Sequence, residues 1–83
     1  MKQKVYQMTE VEYLHLANQA TSKRIKATIW EEGKYQASPA SSAYDCGDYV
    51  IMQMFDSKNN HSNYLLIDTS VQGYPFVTVV REV

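Results

Sequence analysis

The sequence predicts an α+β fold: one N-terminal helix packed on a four- to five-stranded antiparallel sheet built from hairpins. Three observations predict it. Asp48–Phe55 and Asn63–Thr69 are apolar, β-prone runs separated by a polar loop, and Phe76–Val83 is a third such run. Thr9 opens a segment with helical periodicity, and Glu31-Glu32-Gly33 divides two further strand-like runs.

Taken in order, Val5–Met8 reads as a short edge strand. Thr9 with Glu12 three positions on is a reciprocal capping box, because the Thr hydroxyl accepts a first-turn N–H while Glu12 reaches back. The helix that follows is expected over about residues 10 to 21. At about 100° per residue, Val11, Tyr13, Leu14, Leu16, Ala17 and Ala20 share one broad arc, which is expected to face the sheet. Glu12, His15 and Gln19 fall on the water side. Lys23 and Arg24 then suit the negative end of the helix dipole.

Ile25–Trp30 and Lys34–Ser38 form the next expected hairpin, with Gly33 as a left-handed bulge residue. A three-residue loop pairs Ile29 with Tyr35 and Ala27 with Ala37, and sorts Ile25, Ala27 and Ile29 onto one face. Lys26, Thr28, Trp30 and Lys34 then share the other, leaving an outward Trp30 among polar neighbours. Ser38–Ala43 carries small polar residues and a proline without periodicity, and reads as a surface loop.

The last three strands read as a meander. Pairing Phe55 with Tyr64 aligns Val50, Met52 and Met54 with Leu65, Ile67 and Thr69 on an apolar face expected beneath the helix. The reverse face holds Tyr49, Ile51, Gln53, Phe55, Tyr64, Leu66 and Asp68. Two registers of Phe76–Val83 against Leu65–Thr69 stay open, since both faces of that run carry valine or phenylalanine.

Composition narrows the functional classes. The 83 residues suit a single domain, residues 1–83, with 45% hydrophobic and 20% charged side chains. No run reaches the ~18 apolar residues of a bilayer span, and the first residues lack an apolar signal core, so a cytoplasmic protein without membrane contact is expected. A formal net charge of -1 disfavours a strong nucleic-acid footprint and equally an acidic mimic of DNA. The single Cys46 excludes an intrachain disulfide.

Reactive constellations are sparse. Cys46 with His15 or His61 has the ingredients of a thiol nucleophile and its base, but His15 is expected on the outer helix face and His61 in a polar loop. A structural cysteine is the favoured reading. Asp45 and Asp48 lack the alternating oxygen series and closing carboxylate of a calcium loop, and Glu31 and Glu32 read as a solvated turn. Gly33, Gly47 and Gly73 are too far apart for a phosphate loop. No cofactor, metal or catalytic residue is therefore expected, and the protein reads as a non-enzyme.

Seven tyrosines, two phenylalanines and Trp30 are the distinctive feature. Such residues fill and edge a small core, anchor a protein interface, where Tyr and Trp are enriched, or form a nucleic-acid stacking platform, which the balanced charge disfavours. The expected function is a protein-binding inhibitor or regulator that occludes a larger protein target, at class level an antitoxin, an immunity protein or a phage or mobile-element anti-defence protein. Trp30, Lys26 and Lys34, or Tyr49, Phe55 and Tyr64, are its expected contact residues. The alternative is a nucleic-acid-binding regulatory domain using Lys23, Arg24, Lys26, Lys34 and Trp30. Open sheet edges also allow a homodimer.

Overall fold

In the computed structural model, which describes residues 3–19, 22–30, 37–71, 73 and 76–81, one helix accompanies a seven-stranded antiparallel sheet. The elements are β1 (Val5–Met8), α1 (Glu10–Ala17), β2 (Lys23–Trp30), β3 (Ala37–Pro39), β4 (Ser42–Asp45), β5 (Tyr49–Asp56), β6 (His61–Asp68) and β7 (Phe76–Arg81). Strands follow the order β1-β6-β5-β4-β2-β3, and β7 lies along the other flank of β2. The α+β class holds, with more strands than expected. Among the described residues no helix is long and apolar enough to cross a membrane.

Local chemistry explains the turns. Thr9 and Glu12 form the capping box: the Glu12 N–H donates to Thr9 Oγ1, and the Thr9 N–H donates to Glu12 Oε1. β4 and β5 are joined by a tight hairpin in which Gly47, at φ +95°, takes a backbone conformation that other residues avoid, and its N–H donates to Asp45 Oδ1. Between β5 and β6, Asp56 accepts from the Lys58 N–H and the Asn59 amide, while Asn60 turns the chain at φ 53°. Asp45 and Asp56 thus act as turn residues.

The strand from 37 to 45 is nearly continuous but bulged. Ala40 N–H donates to the Ala27 carbonyl in the register of β3, whereas Ala43 pairs with Ile25 in that of β4. Ser41 and Ser42 therefore both oppose Lys26. On the other flank Ser42 pairs with Gln53, and the Ser41 N–H also reaches the Gln53 carbonyl at 2.7 Å. Two residues facing one is a β-bulge, which bends its strand. Past it, β3 stays with β2 and leaves β5.

Ile25, Ala27, Ile29, Ala43, Val50, Met52 and Ile67 form one buried cluster, with Leu65, Met54, Val77 and Val79 packed against it. These residues all lie on one face of the sheet. Among the described residues no helix covers that face, yet Ala43, Met52 and Ile67 are 0% exposed. The sheet must curl so that the β2–β7 half covers the β5–β6 half, and the bulge supplies the bend.

Several expectations are corrected. β7 pairs with β2, Ile29 opposite Val77 and Ala27 opposite Val79, and not with β6, whose free flank is taken by β1 through Val5 and Ile67. The helix ends at Ala17, so Lys23 and Arg24 belong to β2 and not to a helix terminus. Ser38–Ala43 is mostly strand, and its small side chains suit a bulge over a crowded core. β5 and β6 pair Gln53 with Tyr64 and Phe55 with Ser62, two residues from the expected register, because the hairpin turn is only Ser57–Asn60. A slip of two keeps each side chain on its face.

The β2–β3 hairpin also differs. Ile29 pairs with Ser38 and Trp30 with Ala37, which rejects the Ala27–Ala37 pairing and lengthens the connection. The expected turn at Glu31-Glu32-Gly33, together with Lys34 and Tyr35, lies outside the described residues.

The largest correction concerns the helix. It packs on the face of Tyr44, Ile51 and Tyr64, opposite to the Val50/Met52 face assigned to it from sequence. The curl already closes the Val50 face, and the other face holds Ile51, fully buried, which needs a cover.

Candidate functional site

The helix side of the sheet is organised around Tyr13, 3% exposed on α1. Its ring meets Tyr44 edge-on with centroids 6.2 Å apart and tilts against Tyr64 at 5.0 Å. Its hydroxyl lies 2.5 Å from Ser42 Oγ, which donates to Gln53 Oε1 at 3.3 Å, and Gln53 Nε2 donates to Ser62 Oγ at 3.1 Å. This polar chain links α1 to β4, β5 and β6. Burial raises the Tyr13 phenol above its ordinary pKa, against the lowering effect of its hydrogen bond to Ser42.

Because Tyr13 fixes which way the helix turns, it also fixes what the helix leaves outside. Val11 lies about 200° round the helix axis from Tyr13 and is 77% exposed. Leu14 is 48% exposed. Both were expected inside. The broad apolar arc of the sequence spans most of the helix, and only the inward Tyr13, with half-buried Leu16 and Ala17, meets the sheet.

Two more large apolar residues stand on this side. Tyr6 pairs with Leu66 on the helix-side face of β1 and is 51% exposed; Phe55, on the same face of β5, is 56% exposed. Tyr6, Val11, Leu14 and Phe55 give this side an apolar exterior flanking the Tyr13 anchor.

The expected contact residues separate into distinct settings. Phe55 is exposed. Tyr64 is half-buried against Tyr13, and Tyr49 is half-buried at the start of β5. Trp30 is half-buried too, its indole N–H donating to Thr78 Oγ1 at 3.1 Å across the β2–β7 pair. Lys26 is exposed on the same face of β2, and Lys34 lies outside the described residues. Tyr6, Val11 and Leu14 were missed; the sequence signal for Val11 and Leu14 was an apolar arc wider than a short helix can bury, and Tyr6 carried none beyond its place in the expected edge strand.

A second surface lies at the bulge. Arg24 and Lys26 line a groove of about 430 Å³ together with Thr28, Ser41 and Ser42. The cations and hydroxyls suit an anionic group.

The thiol of Cys46 is half-buried, its sulfur 3.8 Å from Ser22 Oγ, and burial pushes its pKa up, which holds it as a thiol. His15 and His61 are exposed on α1 and at the start of β6. Among the described residues no group of three His, Cys, Asp or Glu side chains is placed to hold a metal ion.

Comparison with protein-family models, with curated proteins and with solved structures gives no match.

Proposed function

We propose that the protein is a small non-enzymatic binding module that inhibits or regulates a larger cytoplasmic protein by covering part of its surface. At class level this is the action of antitoxins, immunity proteins and phage or mobile-element anti-defence inhibitors. The observation that carries the reading is the exposure of Tyr6, Val11, Leu14 and Phe55 on the helix side, in a chain whose small core gains from every apolar side chain it covers. Large apolar residues around a rigid anchor are the composition of an interface centre.

The test is capture of partners from the native host's lysate, with nuclease present and salt raised stepwise to ~1 M. The reading expects a protein that survives both treatments and is lost with Val11→Asp or Phe55→Asp. Capture that fails at high salt, or that ignores both substitutions, contradicts it.

The second reading is nucleic-acid binding through Arg24 and Lys26, with Trp30 alongside, and the bulge groove favours it. Its mark is different: affinity would fall steeply with salt, and Arg24→Gln would reduce that slope. The balanced charge of the chain weighs against it. A homodimer through the edges of β1 or β7 is compatible with either reading.

A further inference from the structure

Where the bulge draws β3 away from β5, the sheet splits and a cleft of about 730 Å³ opens between them. Ile29 and Ser38 line one wall; Met54, Asn63 and Leu65 line the other, and Phe55 stands at the rim. The floor is therefore the end of the apolar core, left uncovered where β3 turns aside.

The backbone edges of the cleft matter as much as its side chains. The Tyr49 carbonyl accepts from the Cys46 N–H and the Gln53 carbonyl from the Ser41 N–H, so the odd-numbered residues of β5 direct their backbone groups toward β4. Phe55 continues that alternation. Its N–H and C=O point into the cleft, where no described residue pairs with them on that side. On the opposite wall Ala40 bonds to β2, so Ala37 and Pro39 turn the other way, toward the cleft. Pro39 has no N–H to offer, which leaves β5 as the better pairing edge.

We infer that this cleft receives an extended segment of the partner protein, which pairs with the main chain of Phe55 and sets an apolar side chain on Ile29, Met54 and Leu65. The inference rests on the protein-binding reading and gives it a mode, strand addition at a sheet edge. Two things identify the occupant. A paired donor and acceptor on one residue are met together by another backbone, and a residue opposite Phe55 directs its sequence neighbours' side chains toward the inner face, where the apolar floor lies. An incoming strand here occupies the line that β4 would have followed without the bulge.

The experiment uses the full chain, labelled with ¹⁵N, and peptides selected from a random octapeptide library. Selected peptides should shift the amide signals of Phe55 and Ser38 and slow hydrogen exchange at the Phe55 N–H by at least tenfold. N-methylation of the peptide residue that faces Phe55 should weaken binding at least tenfold, while N-methylation of its neighbour should not. Ser38→Arg, which fills the cleft, should abolish binding, and Asn63→Arg on the other wall serves if the first variant does not fold.

The inference is overturned if no peptide is selected, if the Phe55 amide stays unprotected, if the methylation scan is flat, or if Phe55 pairs with a second copy of this chain as concentration rises. Shifts confined to Val11 and Leu14 overturn the cleft and leave the protein-binding reading standing. Protection of Phe55 by peptide, with lysate capture that fails at high salt, does the reverse.

Discussion

The hydroxyl of Tyr13 lies 2.5 Å from Ser42 Oγ, so the helix is fastened to the residue at which the sheet bends. One side chain sets both the rotation of α1 and its position over the bulge. Tyr13→Phe removes the hydrogen bond but keeps the ring contacts with Tyr44 and Tyr64, and should cost about 1 kcal/mol. Chemical denaturation of Tyr13→Phe, Ser42→Ala and the double variant checks this: the two losses should be clearly less than additive.

Ile51, fully buried beneath the helix, and Val11, on its outer side, should respond oppositely to truncation. Ile51→Ala should cost about 2–5 kcal/mol, and Val11→Ala should stay within about 0.5 kcal/mol of the parent. If Val11→Ala is the costlier change, the helix faces the other way. Thermal melts of the two variants decide it.

Alkaline pH should loosen the fold in two steps. Burial raises the pKa of Cys46 above its ordinary 9.0 and that of Tyr13 above its ordinary 10.0, so the folded chain holds both protons more tightly than the unfolded one. That stabilisation is whole below about pH 9 and fades as pH climbs through the unfolded and then the folded values. The melting temperature should fall from about pH 9 upward, and Tyr13→Phe should flatten the upper part of the decline.

Acid should act in the opposite sense. Hydrogen bonds from Thr9 lower the pKa of Glu12, and those from Asn59 and from Ser70 lower Asp56 and Asp68 respectively. Their support is present above the ordinary values of 4.5 for Glu12 and 3.8 for the two aspartates, and is lost as pH falls through the lowered ones. Glu12→Gln should move the acid limb of a melting profile, because the capping box then carries no charge to titrate.

Much of the fold was legible locally. The capping box of Thr9 and Glu12, the hairpin of β5 and β6, and the sorting of Ile25, Ala27 and Ile29 from Lys26, Thr28 and Trp30 each follow from neighbours in sequence. What escaped was set by distance along the chain. β7 pairs with β2 nearly fifty residues away, and alternating valines fit many partners. β4 escaped because Ser42-Ala43-Tyr44-Asp45 is short and polar, although Ala43 is small for the good reason that it sits in the buried core.

The site was legible in part. Phe55 was foreseen on the face it occupies. Val11 and Leu14 were not, because periodicity shows that a helix has an apolar arc and not which portion of a wide arc finds a partner. The helix was assigned to the Val50 face for a related reason: both faces of β5 are apolar, and only the curl of the sheet determines which one covers itself.

The most direct measurement is capture by the wild-type chain and by Val11→Asp and Phe55→Asp, side by side, with nuclease present and salt at ~1 M, each variant first shown to melt near the parent temperature. The account predicts one protein retained by the wild type and lost, by at least about tenfold, from both variants. Equal capture by all three, or loss from the wild type once salt is raised, contradicts it.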